Sequence, residues 1–251
     1  MRLSASTPQA VRSAVGKLRP SGEIAMEFTM DNEHRRLFRI GGACGIISVL
    51  LYIVVVTLPL LDPAAQIRIS FTFMLATAWP MIGVVYSYAL YRLIALEQQG
   101  LANRFAFLLS LFGLATVTAM ISVQLAVQVG IREYQQMTAR PVPTDWESLL
   151  ASFRLIDFGL DLAWDVFIGW SMIIAALPMY RHSRLGLLWA IPSFLLGLLL
   201  VGLNTATFPW PPASRGLFDI GPIVGLYVLL LSVWILVQGR VGEAAASGRA
   251  S

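Results

Sequence analysis

Residues 185–207 read LGLLWAIPSFLLGLLLVGLNTAT, 23 positions without one acid or base. A helix needs about 20 apolar residues to cross a hydrocarbon core of about 30 Å, so this stretch alone predicts a membrane span. Five more stretches meet the same requirement: 38–60, 69–93, 105–129, 153–179 and 220–238. Lipid offers the backbone no hydrogen-bond partner, so each stretch must satisfy its own N–H and C=O groups as a helix. The period-two alternation of a membrane barrel is absent. The expected fold is all-α, an integral membrane bundle of six transmembrane helices within residues 37–239.

Composition agrees. The 251 residues are 57% hydrophobic and 13% charged, with a mean hydropathy of +0.72. Soluble domains carry about 25% charged residues, so a water-soluble enzyme, a disordered chain and a disulfide scaffold are excluded. Cys44 is the single cysteine and lies in an apolar run. His34 and His182 stand in charged segments beside Arg, expected outside the helices, so neither a bis-histidine haem nor an intramembrane zinc site is expected. No cofactor and no metal are implied. No phosphate-binding loop, dinucleotide fingerprint or nucleophile elbow occurs. Of the 18 basic residues all but Lys17 are Arg. They are scattered between the hydrophobic runs, which fits headgroup anchoring in a lipid bilayer and not nucleic acid.

Charge also sets the expected orientation. Six spans put both termini on one side, with Arg35, Arg36, Arg39, Arg92, Arg104, Arg181, Arg184, Arg240 and Arg249. The other side holds Arg68, Arg132, Arg140, Arg154 and Arg215. Nine against five places the termini in the cytoplasm. Residues 1–36 lack the apolar core of a signal peptide and read as a disordered cytoplasmic tail, with Met26 or Met30 as alternative starts; 240–251 reads as a second tail. The longest expected loop, 130–152, contains Thr144 and Glu147 at capping-box spacing. A short interfacial helix anchored by Trp146 is expected there.

The polar residues inside the spans carry the functional reading. Asp157, Asp161 and Asp165 recur every four residues, so they share one helical face with Trp164 and with Arg154 three residues earlier. Intramembrane acids mark function by default. With Arg181 as anchor, Asp165 stands about 24 Å along the helix, about 6 Å inside the outer edge. Gln124 and Gln128 on the third span, Asn204 on the fifth and Asp219 before the sixth fall at the same level. Arg68, Arg132, Arg154 and Arg215 are the expected ion-pair partners. Every span but the first contributes to this outer group, and the inner halves read as almost purely apolar. An outward-facing polar pocket over a sealed inner half follows.

Plainer accounts stand beside it. Asp–Arg pairs and amide hydrogen bonds also serve as structural glue between helices, and Asp219 before Gly221-Pro222 reads equally as an N-cap. Gly159-Leu160-Asp161 lacks the second glycine of an aspartyl intramembrane protease. Pro80 and Pro192 sit at unequal depths in their halves, a poor fit to an inverted repeat. Gly41 with Gly45, and Gly221 with Gly225, have the spacing of close helix contacts.

The segments Leu162-Ala163-Trp164-Asp165-Val166-Phe167, Leu203-Asn204-Thr205-Ala206-Thr207-Phe208-Pro209-Trp210 and Gly216-Leu217-Phe218-Asp219-Ile220-Gly221-Pro222 resemble a group of uncharacterised bacterial six- or seven-helix membrane proteins. That resemblance covers roughly the last 90 residues. It implies a bacterial cytoplasmic membrane and carries no activity. The expected function is that of a non-enzymatic membrane protein with an outward pocket for a small ligand or partner. The alternative is a proton- or cation-coupled small-solute transporter using the acidic strip.

Overall fold

Where lipid leaves the backbone no alternative, six helices form. A computed structural model describes residues 32–61, 69–138 and 144–240. Its helices are α1 (Asn32–Leu61), α2 (Ile69–Ala95), α3 (Leu101–Thr138), α4 (Thr144–Tyr180), α5 (Gly186–Thr207) and α6 (Gly221–Gln238), with a 3-10 turn at Pro212–Arg215. All six are long and apolar enough to cross a membrane, and no strand occurs among the described residues. This is an all-α, multi-pass membrane protein.

Three boundaries differ from expectation. α1 begins at Asn32, so 32–36 are helical and His34 lies inside the first turns; Glu33 there favours the positive end of the helix dipole. α3 runs on to Thr138. α4 starts at Thr144, so the separate interfacial helix does not exist and its residues open α4. No Gly or Pro falls between Thr144 and Gly159, and propagating a helix adds a hydrogen bond per residue without a new nucleus. The 38 residues of α3 extend about 57 Å, well beyond a core of about 30 Å. Of the tails expected at 1–36 and 240–251, residues 1–31 and 241–251 lie outside the described residues, as do the side chains of Thr144, Trp146 and Glu147.

From α1 to α5 each helix packs on the next, but α6 returns to α1 and meets α5 only sparsely. Glycines set the close approaches. A Cβ on Gly42 would stand 2.6 Å from the Leu236 amide nitrogen, and one on Gly45 would meet Ser232 and Tyr86, so α1 nests between α2 and α6. Gly169 and Gly197 do the same for α4 against α5, where a Cβ on Gly197 would stand 2.5 Å from the Gly169 oxygen. A Cβ on Gly225 meets nothing within 4 Å, so the second glycine pair is not a helix contact.

The end of the bundle that carries Asn32 and Gln238, the terminal end, is tightly closed. Phe38, Leu93, Ile94 and Met179 are at most 1% exposed. Below them the α4–α5 loop is tied to the end of α2. His182 Nδ1 accepts from the Arg184 N–H at 3.1 Å, so the imidazole proton sits on Nε2, which donates to the Leu93 carbonyl at 2.9 Å. Glu97 Oε2 lies 3.9 Å from Nδ1, and the Glu97 carboxylate accepts from the Ser183 N–H at 2.8 Å and from the Ser183 hydroxyl.

Candidate polar cavity

The strip on α4 turns inward, between α3 and α5. Asp157, Asp161 and Asp165 are all half-buried. Gln124 Nε2 donates to Asp157 Oδ1 at 2.8 Å. Asn204, only 3% exposed, donates one amide hydrogen to Asp165 Oδ2 at 2.8 Å and the other to the Leu200 carbonyl at 2.9 Å. The spacing of four on α4 and the register of α3 and α5 thus bring four of the predicted residues together as amide–carboxylate pairs.

Of the predicted arginines, the two with described side chains, Arg154 and Arg215, do not join them. Arg154 is exposed, and no described basic side chain pairs with the three aspartates. An exposed guanidinium keeps its hydration, and a surface ion pair returns little for giving it up. Arg215 lies over the Trp210 ring, 5.5 Å from its centroid, a cation–π contact in place of the expected ion pair. Arg68 and the Arg132 side chain lie outside the described residues. Gln128 is exposed beyond Gln124. Asp219 is exposed as well, and its Oδ1 accepts from the Gly221 N–H at 2.8 Å; the N-cap position itself falls on Ile220, which makes no side-chain cap bond, so Asp219 closes a turn one residue before the cap.

Trp164 meets two rings that the sequence reading left aside. Its centroid lies 6.4 Å from Tyr52 and 6.1 Å from Trp79, themselves 5.2 Å apart, all near 60° to one another. Edge-to-face geometry of this kind is the favoured aromatic arrangement. Tyr52 belongs to α1, so the first helix does contribute to the polar level. Trp79 is 7% exposed, and its indole N–H has no acceptor among the protein atoms.

From this level a cavity of about 180 Å³ continues toward the terminal end. Asp165, Trp164, Trp79 and Tyr52 line its start, and Asn103, Tyr91 and Met179 line its far end. On α4, Asp165 to Met179 is 14 residues, about 21 Å. The passage is therefore thin. It suits waters, which need about 10–15 Å³ each, and small solutes, since pockets for drug-sized molecules run to about 300–1,000 Å³.

The expected apolar inner half is corrected here. Ser48, Ser87, Ser110, Ser171 and Ser193 all face this cavity. Ser48 Oγ donates to the Trp79 carbonyl at 2.8 Å, Ser171 Oγ to Ala106 at 2.7 Å and Ser193 Oγ to Met172 at 2.9 Å, while Ser87 and Ser110 pair at 2.8 Å. Each staples two helices, and a hydroxyl that has donated its proton still has lone pairs to offer. Hydropathy averaged over a span hides single serines. A signal was nevertheless present: Trp79, Gly83, Ser87 and Tyr91 repeat every four residues along α2, and all four line the cavity.

In sum of charge, the site joins carboxylates to neutral amides, hydroxyl oxygens and one unused indole N–H. Such a lining attracts a cation more than an anion. Among the described residues no three His, Cys, Asp or Glu side chains converge as a metal-holding group. No protein family, curated protein or solved structure matches this chain.

Proposed function

We propose that this protein is a non-enzymatic component of a bacterial cytoplasmic membrane, with both termini cytoplasmic, that holds a small cationic ligand at Asp165. The observation that carries this reading is a half-buried carboxylate at the mouth of an internal cavity, bonded to neutral Asn204 and to no described base. Charges in the low-dielectric interior are normally paired, so a cationic guest would supply what the described side chains leave out. Thermal unfolding of the full chain in detergent, with Na⁺, methylammonium or guanidinium as probes, tests it. At least one probe is expected to raise Tm by about 3 °C, and Asp165→Asn is expected to abolish that rise while its ligand-free Tm stays within about 2 °C of the parent. No response from any probe, or an equal response from the variant, would overturn the reading. A large loss of Tm in Asp165→Asn without a cation effect would assign the strip to structure alone.

The hydroxyl-lined continuation of the cavity favours a second reading, a proton- or cation-coupled transporter of small solutes. Acceptor oxygens extend below Asp165 almost to the terminal end, where a sealed apolar half would have forbidden passage. In liposomes loaded with a pH-reporting dye, this reading expects proton flux in response to an imposed cation gradient, and loss of that flux in Asp165→Asn.

A further inference from the structure

A second concavity lies on the outside of the bundle, at the terminal end, between the start of α3, the end of α4 and the start of α5. It holds about 800 Å³. Its floor is made of side chains too short to fill the space between three helices, Ala102, Ala176 and Ala190, the last two almost wholly buried. Its walls are exposed apolar residues, Leu177, Ile191, Phe194 and Leu195. Along α5 it runs from Leu187 to Leu195, about 12 Å, most of one leaflet's half of the hydrocarbon core. At its water-side rim stand Gln98, Gln99, the Gly100 turn and Arg181.

We propose that this groove is a binding site for an anionic phospholipid, with an acyl chain along α5 and the phosphate at Arg181. Charge complementarity selects the occupant. Arg181 is exposed, no described acid pairs with it, and no acid lines the groove. Glu97, the acid next to Gln98 in the chain, is already engaged by Ser183. Gln98 and Gln99 offer amide donors to the glycerol and phosphate oxygens beside it. A headgroup alone would leave the apolar trough unused, and a neutral lipid would leave Arg181 unanswered.

Adding phosphatidylglycerol or phosphatidylcholine of identical chains to the full protein in detergent tests this site. Phosphatidylglycerol is expected to raise Tm by about 5 °C more than phosphatidylcholine. Arg181→Gln is expected to lose most of that excess, and so is Leu195→Trp, which fills the trough from a surface position without touching the charge. Arg215→Gln, which removes an arginine at the opposite end, keeps it. Equal effects of the two lipids overturn the proposal, as does full retention of the excess in both groove variants. Glycerol phosphate reproducing the whole effect would also overturn it, since that result needs no acyl chain.

Discussion

Glu97 lies in the turn that follows α2, outside the membrane-spanning segment, and carries its charge at some cost. Partial burial opposes ionisation, but the hydroxyl and N–H of Ser183, with His182 and Arg184 nearby, hold its carboxyl below the usual carboxylate range. A depressed folded-state value means that the stabilisation is complete above the unfolded value, about 4.3, and is lost as pH falls through the lower folded one. Glu97→Gln is therefore expected to unfold at lower temperature than the parent at neutral pH, with the gap closing as pH falls below the unfolded-state value. Unfolding curves in detergent across that range check the sign. A gap independent of pH would show that the packing of this side chain matters and its charge does not. His34 illustrates the same kind of constraint: Arg92 can only donate, so at 3.0 Å the His34 Nε2 must be the acceptor and its proton must sit on Nδ1.

Among the elements, the two glycine pairs separate spacing from contact. Both have the four-residue interval that the sequence offers for close packing, yet α1 uses its glycines against α2 and α6, while Gly225 faces open space. Gly42→Ala must displace the backbone of α6, and overpacking of this kind costs about 1–3 kcal/mol. Gly225→Ala meets nothing and gains the helix preference of Ala over Gly, about 0.8–1 kcal/mol. The expected outcome in detergent unfolding is a Tm lower by several degrees for the first and slightly higher for the second. Equal shifts would deny the packing of α1 on α6. The interval was legible in the sequence because it defines a helical face; which face meets a neighbour depends on the other helices. The same limit explains the serines. Each is one polar group in a run of some twenty apolar ones, and only the assembled ring of helices brings them to one axis. The aspartate–amide pairs were half legible. The strip on α4 and the level of Gln124 and Asn204 follow from counting residues, whereas the absence of Arg154 from the cluster follows from hydration, which no spacing encodes.

At the level of the whole molecule, the number of crossings was the most legible feature, since lipid forces each apolar run of sufficient length into a helix. An even number returns the chain to its starting side, and the arginine bias gives the expected side. After Cys44→Ala, a cysteine at Gln98 and one at Ser214 report on opposite ends of the bundle. In right-side-out bacterial membrane vesicles a membrane-impermeant maleimide is expected to label Ser214→Cys and to spare Gln98→Cys. The reverse pattern would invert the orientation, and labelling of both would break the six-span topology. Lateral order was not legible: nothing in the spans says that α6 returns to α1 and leaves a sparse line beside α5. Asn103 shows what such an arrangement brings about. This side chain, 2% exposed and held to the Tyr91 carbonyl at 3.0 Å, lines both the internal cavity and the external groove. The two compartments share that amide as a common partition. Whatever shifts it from one side alters the room on the other, and thermodynamic linkage makes that influence mutual and equal in free energy.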